Sequence, residues 1–220
     1  MNVASKVTQK LAVLLVITGA VVANEFADGG FVRAQSGSVP ELSAGALAPD
    51  FSLPDAKGKQ VKLSDYKGKL VVLEWFNMGC PFVQKHYDSG NMQGLQKTYT
   101  EKGVVWLSIC SSAKGKQGYF EGAEHLKAMA DKGGKPSDIL IDADGKVGRM
   151  FGAKTTPHMF IVDKTGKLAY AGAIDDKRST DAEDVKTSKN YVKAALDDLL
   201  KGKTPEVAST QAYGCSVKYQ

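Results

Sequence analysis

Several things are scarce in this chain of 220 residues. It has three cysteines, Cys80, Cys110 and Cys215, and three histidines, His86, His125 and His158, spread far apart. No Cys-x-x-Cys or Cys-x-x-x-Cys pair occurs, which excludes a local dithiol and the commonest thiolate metal sites. Three cysteines cannot all pair within one chain, so one is left over. No acidic residue precedes Glu25. No apolar run reaches the ~20 residues that a membrane-spanning helix needs. The longest near the start, "LAVLLVITGAVVA" from Leu11 to Ala23, has 13. Internal repeats are absent too, which argues against a solenoid.

What is present at the N-terminus is a basic start, Lys6 and Lys10, then that short apolar run and small residues. This is the layout of a secretory signal peptide over residues 1–23, with cleavage after Ala23 preferred to Ala34. An exported, periplasmic or extracellular protein is expected, touching a membrane only if the signal is not cleaved. Removing residues 1–23 removes two lysines and no acid, so the net charge falls from +5 to +3. The remaining basic residues are scattered singly, as on a solvated surface, and no nucleic-acid partner is expected. Residues 24–45 read as a flexible lead, rich in Gly, Ser and Ala.

From residue 46 the pattern is that of an α/β domain extending to 202, followed by a tail, 203–220, that carries Cys215. "DFSL" and "QVKL" predict a short N-terminal hairpin. "LVVLEWF" and "GVVWLSIC" are near-continuous apolar runs, expected as central strands covered on both faces. A helix begins at Pro81, and "DSGN" at 88–91 should interrupt it. A second helix lies within "YFEGAEHLKAMADKGG". "DILID" is a strand, "KVGRMFGA" a short helix, and "HMFIVDKTGKLAYAG" a hairpin turning at "KTG". "SKNYVKAALDDLLKGK" is a C-terminal helix, capped by Ser188 and ended by Gly202. Strands alternating with helices and closing on a hairpin give a central mixed β-sheet flanked by helices.

The chemistry concentrates at "NMGCPFVQKHY", residues 77–87. Cys80 falls where a strand ends and a helix starts, and Pro81 suits the first helical position. Unpaired N–H groups and the helix dipole lower the pKa of a cysteine placed there, and the thiolate is its reactive form. The alternative is a buried, inert cysteine beside a helix start. On the helix, Val83 and Gln84 share the face of Cys80. Val83 cannot form a disulfide, whereas Gln84 offers a hydrogen bond to sulfur or to a bound oxidant. His86 points away and reads as a surface or packing residue, and His125 as structural. Glu74 interrupts an apolar strand, where a carboxylate is costly unless paired or protonated. It is either a proton acceptor beneath the sulfur or a strand-end carboxylate tied to a lysine. In "TTPHMF", Pro157 after Thr156 is a candidate cis-proline that leaves its neighbours' backbone free to pair with an extended substrate.

Together, "APDFSLPDAKGK", "LVVLEWFNMGCPFVQKHY", "TTPHMFIVDKTGKLAYAGAIDD", the helix before "LLKGK" and the ending "GCSVKY" resemble the thioredoxin-like superfamily. Within it they resemble the redoxin branch related to alkyl hydroperoxide reductase and thiol-specific antioxidant proteins. The resemblance spans roughly residues 46–220. It implies a thioredoxin-like fold and a thiol-dependent oxidoreductase that needs no cofactor and no metal. Its implied partners are a thiol electron donor, thioredoxin-like or small, and a protein disulfide or peroxide substrate. Cys80 matches the attacking cysteine, Glu74 the buried acid of thioredoxin and Pro157 the cis-proline. Cys215 is the resolving thiol that such a "GCS" tail implies, with Cys110, ending the neighbouring strand, as the competing resolver. Asn77, Pro81, Gln84, Thr156 and Pro157 are the implied substrate-binding positions. The departures weigh against peroxide reduction: Asn77 and Leu73 stand where peroxiredoxins have threonine and proline, and Thr156-Pro157-His158 stands in place of their arginine. Competing readings are a non-catalytic binding module, with His158 as its best metal ligand, and a structural disulfide that staples the tail.

Overall fold

The computed structural model describes residues 42–220, so the expected signal peptide and nearly all of the lead lie outside the described residues. In chain order the strands are β1 (Ser52–Pro54), β2 (Gln60–Lys62), β3 (Val71–Trp75), β4 (Val105–Cys110), β5 (Asp138–Ile141), β6 (Thr155–Thr156), β7 (His158–Val162), β8 (Leu168–Gly172) and β9 (Cys215–Ser216). The helices are α1 (Pro81–Asp88), α2 (Asn91–Thr100), α3 (Gly122–Asp131), α4 (Lys146–Phe151) and α5 (Tyr191–Leu200). Five strands form a mixed sheet in the order β5-β4-β3-β7-β8. β3 runs parallel to β4 and antiparallel to β7. β1 and β2 form the expected hairpin, and β6 pairs with β9.

Every residue of β3 is buried, Glu74 included, as a near-continuous apolar run predicts. Alternation sends Val71, Leu73 and Trp75 to one face and Val72 to the other. The first face packs on Phe51, Val147 and Phe151 and the second on Val83, Tyr87, Leu95 and Val192, so helices cover both. Trp75, Phe151 and Phe160 meet with centroids 5.2–5.6 Å apart. Each such aromatic pair adds about 0.5–1.5 kcal/mol beyond its buried area. Among the described residues, no helix is long and apolar enough to cross a membrane.

The break at "DSGN" is real. Gly90 sits at φ 74° and separates α1 from α2, a conformation that costs an L-residue with a Cβ but not glycine. One expected cap differs. Ser188 ends a 3₁₀ turn, and Asn190 caps α5, its side chain accepting from the Lys193 N–H. Asn190 bridges to Asp175, which fixes the entry of the chain two residues later than Ser188. The lead is pinned at its end, with the Gly45 N–H donating to the Leu168 carbonyl at 2.7 Å. The tail is equally integrated. Its backbone bonds Ala171 through Ala208 and Thr210, then Lys154 through Val217 and Ala113 through Lys218.

Candidate active site

Cys80 is the N-cap of α1, with Pro81 at the first helical position. The turn before it is set by Asn77, whose carboxamide oxygen accepts from the Gly79 N–H at 2.8 Å. The Asn77 amide donates to the Gln117 carbonyl at 3.0 Å. Gln117 returns a bond to the Gly79 carbonyl at 2.9 Å. A Cβ on Gly118 would overlap the Asn77 carboxamide at 2.2 Å. Asn77 thus ties the 112–118 loop to the cysteine turn, and it is 2 % exposed.

Cys80 is fully buried. Its sulfur lies 3.1 Å from the Thr156 carbonyl oxygen and 2.7 Å from the sulfur of Cys215, with both cysteines as free thiols. Thr156-Pro157 is a cis peptide, as expected. Thr156 opposes Cys215 in the antiparallel β6–β9 pair. Gly214 permits this approach: a Cβ there would stand 2.1 Å from the Thr156 carbonyl oxygen, and its φ is +141°.

The two thiols are driven apart in pKa. Burial pushes the Cys80 thiol up, but hydrogen bonds from the Cys215 thiol and from the Cys215 and Val83 backbone help to outweigh it, and Cys80 is held below the usual thiol range. Cys215 is pushed up to about 11, first by burial and then by its hydrogen bond to Cys80 and the negative charge there. One thiol is therefore disposed to be a thiolate and the other to remain its donor, the division of roles a nucleophile and its partner need. Cys110 is buried, its thiol facing the Gly118 carbonyl at 3.3 Å, and burial raises its pKa.

Glu74 is fully buried, and no lysine meets it. Its carboxyl accepts from Tyr87 Oη at 2.9 Å, Trp106 Nε1 at 2.8 Å, Ser108 Oγ at 2.8 Å and Gln96 Nε2 at 3.3 Å. Burial still outweighs these four bonds and raises its pKa. Gln84 does not bond sulfur; its amide donates to the Met78 carbonyl at 3.0 Å. Pro81 is exposed at the helix start. His86 is buried rather than superficial, its ring bonded to Asn91 and Tyr213, and burial lowers its pKa to about 4. His125 is buried between Phe76 and Phe120. His158 stacks on Phe160 at 4.4 Å and takes a bond from the Lys154 N–H. Among the described residues, no group of three or more His, Cys, Asp or Glu is poised to hold a metal.

Sequence reasoning missed three residues beside the tail: Lys85, Asp175 and Tyr213. The Lys85 ammonium is 3.3 Å from Asp175 Oδ2 with both side chains fully buried. Lys85 and Asp175 are ninety positions apart, and no local pattern links them. The available signal was a lysine on the inward side of a helix, flanked by buried Val83 and Tyr87.

A mixed sheet with a cysteine at the start of the helix after a central strand, facing a cis-proline, defines a thioredoxin-like protein. The chain belongs to the AhpC/TSA family, whose pattern matches residues 44–171. It is 27% identical over 161 residues to a thiol-disulfide oxidoreductase ResA of Bacillus cereus, covering 72% of this chain and 83% of that one. A thioredoxin-like protein YneN of Bacillus subtilis is 30% identical over 128 residues, 58% of this chain and 69% of that one. Among solved structures, an uncharacterised conserved protein from Geobacillus kaustophilus aligns with a TM-score of 0.70 at 28% identity, covering 80% of this chain and 92% of that one. A putative thiol:disulfide interchange protein DsbE from Chlorobium tepidum aligns with a TM-score of 0.50 at 27% identity, covering 66% and 94%.

Proposed function

We propose that the protein is an exported thiol-disulfide oxidoreductase in which Cys80 attacks and Cys215 resolves. The observation that carries this reading is the 2.7 Å approach of the two sulfurs at a helix N-terminus beside a cis-proline. The ResA relatives and the family support the class of reaction, and the basic, then apolar, N-terminus supports export.

The Cys80 thiolate attacks one sulfur of a substrate disulfide. A Cys80–substrate bond forms as the substrate S–S bond breaks, and the released sulfur takes a proton. Cys80 then carries no charge, so two of the three influences that raise the Cys215 pKa disappear. Cys215 loses its proton and attacks Cys80, expelling the second substrate thiol. The substrate disulfide has gained two electrons and two protons, and the protein holds a Cys80–Cys215 disulfide. Two thiols of an external donor reverse that state and leave as the donor's disulfide. Glu74, fully buried with its pKa raised, is the residue we assign to take up the Cys215 proton. Thr156 and Pro157 present the backbone edge along which the tail, and in its absence a substrate segment, pairs. Pro81 and Gln84, on the first turn of α1 after Cys80, are the further positions we assign to substrate contact. Asn77 acts by holding the turn. Its amide is committed to the protein, which favours a disulfide substrate over a peroxide that needs polarising donors.

One observation favours a second reading: Cys80 is fully enclosed, as in a disulfide that merely staples the tail. Turnover separates the two. Parent and Cys80→Ser protein, supplied with a thiol donor, are assayed for reduction of a protein disulfide and for consumption of peroxide. The expected result is loss of disulfide reduction in the variant. Equal rates in both proteins refute the enzyme reading, and a peroxide rate exceeding the disulfide rate overturns the substrate assignment.

A further inference from the structure

The buried charge cluster beside the tail has no part in the exchange chemistry, yet it contacts the residue two positions before Cys215. Tyr213 is 4 % exposed. Its hydroxyl donates a short bond to Asp175 Oδ1 and lies 3.5 Å from both Lys85 Nζ and His86 Nε2. Lys85 also donates to the Lys177 carbonyl at 2.6 Å, and Asp175 Oδ1 accepts from the Lys177 N–H at 3.1 Å. The Tyr213 ring meets Phe82 edge to face, centroids 5.8 Å apart. Burying an ion pair is costly, and leaving one partner short of hydrogen bonds costs more. The docked tail therefore supplies, through Tyr213, a hydrogen bond that the buried pair loses when the tail leaves. The docked tail is also what encloses Cys80, through the β6–β9 pair and the close passage of Gly214 past Thr156.

We propose that Tyr213 is the latch of the tail and that Lys85 and Asp175 are its socket. Seating the tyrosine holds Cys215 at Cys80 and closes Cys80 to solvent. Unseating it frees Cys80 for a substrate and removes the resolving thiol until the tail returns. Tyr213 is a positioning residue, and this role rests on the pairing of Cys80 with Cys215 given above.

The test uses the full chain with Tyr213→Phe, which removes one hydroxyl, and Phe82→Ala, which removes the ring contact at a half-buried site. Each protein is equilibrated in glutathione redox buffers. Two protein thiols pass two electrons and two protons to glutathione disulfide, giving the Cys80–Cys215 disulfide and two glutathione thiols. Peptide mapping reads the equilibrium constant. In parallel, alkylation of reduced protein is followed separately at Cys80 and Cys110. A hydrogen bond to a buried charged acceptor makes a change of about tenfold the expectation for Tyr213→Phe. The disulfide equilibrium constant falls about tenfold, equivalent to about 30 mV in a two-electron couple, and Cys80 alkylation rises by a similar factor while Cys110 stays constant. Phe82→Ala moves both in the same directions by a few-fold. Values within twofold of the parent in both variants overturn the latch, as does a rise at Cys110 equal to that at Cys80, which marks general loosening. If the parent forms no Cys80–Cys215 disulfide, the pairing is wrong, while the alkylation ratio still decides whether Tyr213 covers Cys80.

Discussion

Replacing Gly214 with alanine places a methyl group 2.1 Å from the Thr156 carbonyl oxygen and 2.7 Å from its carbon. Ordinary van der Waals contact begins at 3.4 Å. Neither obstacle is the end of a flexible side chain, because both are backbone atoms of the residue paired with Cys215. The backbone at φ +141° is itself unfavourable for a residue with a Cβ, by about 1–3 kcal/mol. Relief requires the tail to retreat by roughly 1 Å, and a misplacement of that size between reacting atoms costs about a hundredfold in rate. The assay mixes fully reduced protein with excess glutathione disulfide, quenches with acid and resolves intact masses. The parent passes from dithiol to intramolecular disulfide with little glutathione adduct. Gly214→Ala accumulates the adduct and closes it about a hundredfold more slowly, with the far-ultraviolet circular dichroism of the parent. Closure within threefold of the parent rate refutes the argument that the Gly214–Thr156 approach sets the distance between the sulfurs.

Two further substitutions probe the buried titratable groups. Glu74→Gln keeps the shape, and its new amide N–H₂ can face Tyr87, whose hydroxyl is able to accept. Because the folded pKa of Glu74 is raised above 4.5 by burial, the parent loses stability as pH climbs above that value, whereas the glutamine variant does not. Denaturant unfolding across acid and neutral pH should show the variant gaining on the parent with rising pH, and the proton-acceptor role fails if disulfide closure in the variant keeps the parent's rate and pH profile. His125→Phe fills the slot between Phe76 and Phe120, where the His125 Nδ1 has no hydrogen-bond partner. Burial lowers the folded pKa of His125 from 6.5 to about 4, so its neutral form is favoured in the fold, and stability is lost as pH falls below 6.5. Between about pH 8 and about pH 5 the parent should lose about 2 kcal/mol more than the variant. Equal losses in the two refute the assignment.

The parts of the fold that local pattern controls were legible in the sequence. The buried strands followed from near-continuous apolar runs, the break between α1 and α2 from the Gly90 turn, and the cysteine at the helix start from Gly-Cys-Pro after a strand. Long-range partnerships were not legible. Glu74 announced itself as costly, but a lysine was as plausible a partner as the four neutral donors that surround it, because those come from α1, α2 and β4. Gln84 shared the face of Cys80 by helical spacing, yet its amide donates to the Met78 carbonyl instead. Asn77 marked a departure from a peroxidase pattern without indicating that it binds the loop after β4. The α5 cap moved from Ser188 to Asn190 because the bridge to Asp175 sets where the chain turns.

A protein with one cysteine at the helix terminus must find its second thiol elsewhere, and here the source changes how the first is activated. In a local dithiol the partner belongs to the same helix, and that position is Val83, buried as a core residue. Cys215 arrives instead on β9, and it supplies the largest of the influences that lower the Cys80 pKa. Burial of Cys80 works in the opposite direction, so undocking the tail removes both the hydrogen bond that lowers the pKa and the burial that raises it. The tail that supplies this hydrogen bond also shuts Cys80 in, through the β6–β9 pair. A substrate that displaces the tail must replace the lost hydrogen bonds along Thr156. A segment of extended backbone carrying a cysteine would do so, whereas a small peroxide would not, which agrees with the protein-disulfide substrate proposed above.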